Sequence, residues 1–213
     1  MATEIVKPRP RLPGDQRRAL IVLNAVELFS RRGFSGTTTR ELAMASGITE
    51  PVLYQHFETK RALYEAMLEA KTNEFDPRLE EELHTLSASG DDRAYFTKVA
   101  NLLLDWYLND PRYVRLLMFS SLEGGELAQL FYERHVAVFY QELTRHLSSQ
   151  MAEGVLRERD PLVVARTFVG MIAHHGLIFA VYQPGELAAA REEIVATTID
   201  LFLSGLAAQG GRQ

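Results

Sequence analysis

The stretch Thr37–Lys60 constrains this chain more than any other part, because it reads as two short helices separated by a glycine turn. Thr38 is a suitable N-cap for the first helix, and Glu41, three residues later, completes a capping box. Gly47 is the residue type that a tight turn after a helix favours. The spacing therefore predicts a helix-turn-helix.

The second helix of this pair begins at its own cap, Thr49. Glu50 suits the positive end of the helix dipole, and Pro51 stands in the first turn, where its missing N–H breaks no helical hydrogen bond. The expected inward anchors are Ile48, Leu53 and Phe57. The outer side then presents Thr49, Glu50, Val52, Gln55 and His56. Such a helix offers short polar groups to a DNA groove.

The order and spacing of these residues resemble the tetracycline-repressor (TetR) family of transcriptional regulators. The resemblance covers roughly residues 15–65 and rests on Gly33-Phe34, Thr38 to Ala43, Gly47-Ile48-Thr49, Leu53 to Phe57, Lys60 and Leu63. It implies an all-α fold, in which a three-helix head reads DNA and a larger helical domain binds an effector and forms a homodimer. Two positions depart from the family pattern. Pro51 stands where Gly or Ala is common, and Lys or Arg is common near the position of Glu50, so this surface is less basic than usual.

The resemblance and the side-chain chemistry together give a set of expected DNA contacts. Phosphate contacts are expected from Thr38, Thr39, Arg40, Tyr54, His56 and Lys60, and Arg40 can also reach a guanine edge. The roles of Tyr54, His56 and Lys60 in this set are implied by the resemblance. Base contacts are expected from the start of the second helix, at Thr49, Glu50, Val52 and Gln55, and Pro51 is expected in the same DNA-binding surface. Glu50 has a second interpretation, as a first-turn carboxylate that points to water.

The distribution of charge fits two different tasks in one chain. The net charge is −5, yet residues 1–60 hold nine Lys and Arg against six Asp and Glu, which leaves −8 for the rest. A basic head on an acidic body is the asymmetry expected of a DNA-reading module joined to a domain with another task.

Composition also argues against several other classes of protein. Cys is absent, so no disulfide or thiolate metal site can form, which fits a reducing compartment. No apolar run approaches the roughly 20 residues of a transmembrane helix, and the N-terminus lacks a hydrophobic signal core, so we expect a cytoplasmic protein that does not contact membrane. No Gly-x-Ser-x-Gly elbow or phosphate loop is present, so an enzyme is disfavoured and no cofactor is predicted.

Three segments are predicted along the chain. Residues 1–14 are basic and rich in proline, and we expect a flexible arm that either reaches DNA or is only a solvated tail. Residues 15–60 form the helix-turn-helix head, and residues 61–208 form the effector-binding and dimerisation domain. Helices of that domain are expected from residue 60 and then at 93–108, 111–122, 126–152, 161–182 and 187–206. A break near Pro77 and a loop at Ser87–Asp92 interrupt the first part.

Aromatic and sulfur side chains of the larger domain are the expected effector pocket. The resemblance implies a lining drawn from Trp106, Phe119, Phe139, Phe168 and Met171. Each of these also fits plain core packing, because helical bundles fill their centres with such residues. Among polar residues, His135 needs a partner or water if it is buried. His174 and His175 project about 100° apart on a helix without a cluster of further ligands, so no metal site is predicted.

The last two helices are expected to pair with their symmetry mates in a four-helix dimer interface. Small residues would allow close approach, at Ala165, Gly170, Ala173 and Gly176. Apolar burial would come from Phe168, Ile172, Phe179, Ile194, Leu201 and Phe202. The alternative is that these helices only close the core of a single chain.

The favoured interpretation is a homodimeric transcription regulator, more specifically a repressor that binds a palindromic DNA operator and is released by a small, largely apolar effector. We expect only the helix after Thr59 to join head and body, so that an effector displaces Lys60–Asn73 and swings the heads. The alternative is a ligand-independent DNA-binding or architectural dimer.

Overall fold

The structure is a computed structural model that describes residues 13–73, 78–124, 126–182 and 187–207. Within these ranges every regular element is a helix, apart from one isolated bridge between Leu156 and Ala207. The all-α prediction is confirmed. The helices are α1 (Gly14–Arg32), α2 (Thr39–Ala45), α3 (Glu50–His56), α4 (Lys60–Thr72), α5 (Leu79–Ser89), α6 (Asp92–Asn109), α7 (Pro111–Leu122), α8 (Glu126–Phe131), α9 (Ala137–Ala152), α10 (Pro161–Val181) and α11 (Leu187–Leu206).

Local signals account for the starts of α7 and α10 in the larger domain. Asp110 accepts a hydrogen bond from the N–H of Arg112 (3.1 Å), and Asp160 accepts from Leu162 (2.9 Å). Each Asp is followed by a Pro in the first turn, where no helical hydrogen bond is lost. These Asp-Pro pairs explain why the starts at residues 111 and 161 agree with the sequence prediction. Pro77 and residues 1–12 lie outside the described residues.

The loop expected at Ser87–Asp92 is much shorter than predicted. Helix α5 continues through Ser89, whose hydroxyl donates to the carbonyl of Leu86 (2.7 Å). Gly90 then adopts a left-handed conformation (φ 73°, ψ 7°), and Asp91 caps α6 by accepting from the N–H of Ala94 (2.9 Å). The serines remain helical because their hydroxyls are satisfied and the helix packs on the core through Leu83 and Leu86.

The helix predicted over residues 126–152 contains an irregular turn. Helix α8 ends at Phe131, Tyr132–Val136 form a π-helical turn, and α9 begins at Ala137. Such turns insert extra residues into a helix and often occur at functional sites. Here Arg134 and His135 of the turn line a cleft together with residues of α4.

A first core cluster joins the head to the larger domain. Ile21, Phe29 and Tyr64 are fully buried, and they pack in one cluster with the buried Leu116 of α7 and Phe131 of α8. Helix α1 packs along α7. The expectation that only α4 joins head and body therefore needs correction. The head therefore has a second, direct route to the larger domain.

A second core cluster fills the body between α6, α9, α10 and α11. The ring of Phe96 lies 5.0 Å from that of Phe168 and 4.9 Å from that of Phe202. Phe168 and Ile172 are completely buried, and Phe202 is nearly so. The assignment of these three side chains to a dimer interface therefore needs correction, because they offer almost no surface to a partner.

Gly176 also packs within its own chain. It is buried, and a Cβ at this position would overlap the ring of Tyr107 on α6. The close approach that this glycine permits is therefore between α10 and α6 of one chain, whereas the prediction placed it between chains. A Cβ at Gly170, by contrast, would meet nothing within 4 Å.

Helix α10 is the most apolar element of the described chain. With a mean hydropathy of 1.5 over 18 residues, it is the one described helix that is long and apolar enough to cross a membrane. A single helix of this kind is a weak indication, and its residues Val164, Phe168 and Ile172 pack into the chain's own core.

A buried polar chain connects α5, α6 and α9. The Nδ1 of His146 lies 2.7 Å from the Ser87 hydroxyl, and its Nε2 lies 2.9 Å from the Asp92 carboxylate. The imidazole also stacks on Tyr95 with ring centroids 3.8 Å apart. Burial lowers the pKa of His146, although the Asp92 carboxylate acts in the opposite direction. This network closes the second core cluster with both ring nitrogens satisfied.

Candidate DNA-binding surface and ligand cleft

The turn between α2 and α3 has the geometry that its sequence predicts. The Thr38 hydroxyl accepts from the N–H of Glu41 (3.2 Å), and the Glu41 carboxylate accepts from the N–H of Thr38 (2.9 Å), which confirms the capping box. Gly47 has φ 65°, and its N–H donates to the carbonyl of Met44 (3.1 Å). Helix α3 thus leaves α2 through a left-handed glycine.

Helix α3 presents one polar face to solvent. Leu53 and Phe57 are buried and Ile48 is partly buried, as predicted for the inward anchors. The exposed side chains of the helix and its cap are Thr49, Pro51, Tyr54 and Gln55, whereas Val52 and His56 are half-buried. On α2, Thr38 and Arg40 are exposed beside this face, and Thr39 is half-buried. The face carries hydroxyl, amide and phenol groups that can form hydrogen bonds with phosphates and base edges.

Both ends of α3 are attached to other helices of the head. At its N-terminal end, the Thr39 hydroxyl of α2 donates to the Glu50 carboxylate. At its C-terminal end, Arg18 of α1 donates to the carbonyl of His56 (2.6 Å), and its guanidinium lies 4.1 Å from the ring centroid of Phe57. Arg18 was not among the functional residues predicted from the sequence. Its partner is 38 residues away, and no local pattern links the two.

Lys60 lies at the edge of the head and points inward. Its ammonium donates to the carbonyl of Phe34 and lies 4.2 Å from the centroid of the Phe34 ring. Burial lowers the pKa of Lys60, while the carboxylates of Glu123 and Glu41 oppose that effect. The ammonium is thus half-buried against the α1–α2 loop, with further N–H donors beyond the one used here.

A carboxylate of the larger domain also binds the backbone of the α1–α2 loop. Glu123, directly after α7, accepts hydrogen bonds from the N–H groups of Phe34 (3.0 Å) and Ser35 (3.1 Å). The neighbouring Gly33 has φ 73° and ψ 174°, a region that is essentially restricted to glycine. A Cβ on Gly33 would overlap the Glu123 carboxylate. This contact ties the head to α7 independently of α4.

A cleft of about 240 Å³ lies between α4 and the π-helical turn. Its apolar surface comes from Leu68, Leu130 and Phe131, and its polar surface comes from Glu65, Glu69, Arg134 and His135. Burial, assisted by the nearby positive charge of Arg134, lowers the pKa of His135. One wall of this cleft is therefore the helix that leads directly to Lys60 and the head.

The five residues expected to line an effector pocket are divided between the two core clusters and the surface. Trp106 stacks on Phe131 at 5.5 Å in the first core cluster, and Phe168, Phe139 and Met171 belong to the second. Phe119 is exposed. His174 and His175 are also exposed, and within the described residues no group of three His, Asp or Glu could hold a metal ion. Phe131 and His135 of the cleft are one helical turn apart, but the π-helical distortion that aims them is not readable from the sequence.

The fold and this surface define a helix-turn-helix protein with a separate helical domain. Residues 21–67 match the family model described as bacterial regulatory proteins, tetR family, and residues 108–206 match the AefR-like transcriptional repressor, C-terminal domain. The two matches together span about two thirds of the chain. The chain belongs to the TetR family, whose members are regulators and not enzymes.

Individual relatives agree with this assignment. The chain is 32% identical over 107 residues to the HTH-type transcriptional activator FasR of Mycolicibacterium smegmatis, covering 50% of this chain and 48% of FasR. It is 44% identical over 54 residues to the class C tetracycline repressor protein of Escherichia coli, covering 25% of each. The chain thus spans about half or less of the length of these relatives.

A solved structure with the same fold is that of AibR in complex with isovaleryl coenzyme A and operator DNA. The TM-score is 0.68 at 21% identity, and the match covers 87% of this chain and 97% of that chain. At this identity the similarity establishes the fold alone.

Proposed function

We propose that this protein is a ligand-responsive transcription regulator that binds a two-fold symmetric DNA operator as a homodimer in the cytoplasm. The observation that carries the proposal is the exposed polar face of α3, set on a glycine turn and anchored by Leu53 and Phe57. That face has the dimensions and chemistry to enter a major groove. AibR, which shares the fold, was crystallised with operator DNA, and this supports the same docking mode here.

Within this proposal some residues contact base edges and others contact phosphates. Gln55 is exposed and can pair bidentately with adenine, and Thr49 is exposed at the cap of the same helix. The phosphate contacts are assigned to the flanking side chains Thr38, Arg40, Tyr54, His56 and Lys60, and to the backbone N–H of Thr39, whose hydroxyl hydrogen is already donated to Glu50. Lys60 reaches phosphate only if its ammonium turns from Phe34 or uses a second N–H. The head is taken to end near residue 60, and the remaining helices form the ligand-binding and dimerising part.

The dimer surface is proposed on the exposed side of α10 and α11. Leu201 is 66% exposed and Val163 is 59% exposed, and both lie at the end of the helix pair where Leu156 bridges Ala207. Gly170 and Gly205 leave open space on the same helices. An apolar surface with small residues suits a two-fold helix pairing. Leu201 is retained from the residues first expected at the interface, whereas Phe168, Ile172 and Phe202 belong to the monomer core.

The ligand is proposed to bind in the cleft between α4 and the π-helical turn. Leu68, Leu130 and Phe131 would contact its apolar body, and the charged rim of Glu65 and Arg134 would orient a polar end. A ligand there pushes on α4 within two turns of Lys60. We favour repression, relieved when the ligand shifts the head and changes the spacing of the two recognition helices.

Selection of bound duplexes from a random DNA pool by the purified full-length chain tests this function. We expect an inverted repeat whose half-sites lie in successive major grooves, because a two-fold dimer presents two copies of α3. Gln55→Ala should change the preference at one position of each half-site, by about 1–3 kcal/mol. Glu158→Ala, an exposed change distant in sequence from the head, is the control. Recovery of no common sequence by the wild type would contradict the proposal.

Ligand dependence is tested separately, by thermal-shift screening of small molecules that combine an apolar body with one charged group. Binding to the native state raises the melting temperature. Leu130→Trp, which fills the cleft, should abolish that increase without removing DNA binding. If no compound that releases DNA is sensitive to Leu130→Trp, the cleft is not the ligand site.

A further inference from the structure

We propose that Arg18, Thr39 and Glu50 are positioning residues that fix the two ends of the recognition helix, and that this double attachment sets how strongly the protein discriminates between DNA sequences. The inference rests on the proposed function, since it concerns the accuracy of the same DNA-reading face. It also gives Glu50 a different task from the base contact that the sequence suggested.

Helix α3 needs such attachments because it has only seven residues. Isolated helices shorter than about 12 residues are marginal in water, so a helix of this length depends on contacts with its surroundings, and the end groups of any helix lack internal partners. The cap residue Thr49 makes no side-chain hydrogen bond to the helix. Apolar anchoring comes from the inward side chains, chiefly Leu53. Such anchoring limits the distance of the helix from the core but fixes its direction less well, because apolar contacts are not directional.

The N-terminal attachment uses a residue that would otherwise read DNA. Glu50 is half-buried, and its carboxylate accepts the hydrogen bond from the Thr39 hydroxyl. A carboxylate oxygen in this bond points at α2, away from the outer face of α3. The bond fixes the angle at which α3 leaves the turn at Gly47. Glu50 therefore influences base recognition indirectly, because it fixes the direction of α3.

The C-terminal attachment combines a hydrogen bond with ring stacking. Arg18 donates to the His56 carbonyl, one of the orphan acceptors at the helix end, and a cation there is also favoured by the helix dipole. Its planar guanidinium lies over Phe57, the residue that ends α3. A lysine would keep the charge but lose the planar stacking, which makes the two contributions separable.

Loss of either attachment should affect specific binding more than non-specific binding. Base contacts require each side chain to stay close to its groove position, whereas phosphate attraction tolerates a range of orientations. A helix that is loose in the free protein must be ordered at the cognate site. Affinity for cognate DNA then falls while affinity for random DNA does not.

The test compares Thr39→Val with Thr39→Ser, and Arg18→Lys with Arg18→Gln. The Val variant keeps the shape but loses the hydroxyl, and the Ser variant restores it. Dissociation constants are measured by fluorescence anisotropy for a duplex of the selected sequence and for a scrambled duplex, at several salt concentrations. We expect Thr39→Val and Arg18→Lys to lower the specific-to-scrambled affinity ratio roughly tenfold, within the range of one lost contact. Thr39→Ser should retain the wild-type ratio.

The salt dependence separates positioning from phosphate contact. Neither Thr39→Val nor Arg18→Lys removes a charge, so both should keep the wild-type slope of the logarithm of the binding constant against the logarithm of the salt concentration. We expect Arg18→Gln to keep it too, because the guanidinium both donates to the His56 carbonyl and lies over the Phe57 ring, and these two contacts direct it at the head itself. A slope smaller by about 0.9 in Arg18→Gln would identify Arg18 as a phosphate contact and overturn its proposed role. An unchanged affinity ratio in Thr39→Val and Arg18→Lys would overturn the inference while leaving the proposed function intact. If the wild type itself does not discriminate, the proposed function fails and this inference with it.

Discussion

Gly33→Ala and Glu123→Ala together test whether the larger domain holds the head through the α1–α2 loop. Gly33 occupies a backbone region that costs a residue with a Cβ about 1–3 kcal/mol. The new Cβ also overlaps the Glu123 carboxylate, which must move and give up its bonds to Phe34 and Ser35. Because Glu123 is exposed, we assign these two bonds about 1 kcal/mol together.

These contributions predict a specific pattern in a double-mutant cycle. Glu123→Ala alone should destabilise the chain by about 1 kcal/mol and Gly33→Ala alone by about 3 kcal/mol. The double variant should be no less stable than Gly33→Ala, because the alanine at 33 has already displaced the carboxylate. The coupling is then about 1 kcal/mol, within the range measured for residues in contact.

The assay is thermal unfolding of the four proteins, followed by circular dichroism at one protein concentration. For a chain of this size, 1 kcal/mol corresponds to roughly 2–4 °C in melting temperature, so the decreases should be about 2–4 °C for Glu123→Ala and about 6–12 °C for Gly33→Ala. Glu158→Ala changes an exposed glutamate whose side chain has no hydrogen bond to another described residue, and this variant should melt like the wild type. Additive losses in the double variant would show that Glu123 does not hold this loop.

Three further predictions concern other parts of the chain. Burial lowers the pKa of His146 below its ordinary value of 6.5, so the unfolded chain binds a proton more readily, and stability should fall as the pH is lowered from 6.5 toward that folded-state pKa. Urea unfolding at pH 7.5 and 5.5 should show a smaller pH effect in His146→Gln, and an equal effect would reject the assignment. Leu201→Glu should convert the dimer to a monomer in sedimentation at micromolar concentration, whereas Glu193→Gln, exposed on the same helix, should not; an unchanged dimer would place the interface elsewhere. Tyr54→Phe should weaken cognate and scrambled DNA equally, by about 0.5–1.5 kcal/mol, and a selective loss on cognate DNA would make Tyr54 a base reader.

Features encoded within a few residues could be predicted from the sequence. The capping box of α2 joins Thr38 and Glu41, and the left-handed turn needs Gly47, so each depends on residues close in the chain. The Asp-Pro starts of α7 and α10 are equally local. The periodic apolar positions of α3 likewise gave the correct inward face.

Features that depend on distant contacts were not predictable in the same way. The partners Arg18 and His56, or Glu123 and Phe34, are 38 and 89 residues apart, and no periodicity connects them. The apolar pattern of α10 identifies a packing helix but does not say whether a side chain such as Phe168 faces its own core or a partner. That choice is decided by the rings packed around it from α6 and α11.

The spacing of the two half-sites provides the most direct test of the central claim, that a two-fold dimer reads DNA through two copies of α3. Anisotropy titrations should compare the selected inverted repeat with versions in which about five or about ten base pairs are inserted at its centre. Half a turn of B-DNA moves one half-site to the opposite side of the duplex. We predict that the half-turn insertion lowers the affinity to that of a single half-site. Equal affinity for all three duplexes would contradict the account, because it would show that the two heads do not engage DNA as one symmetric unit.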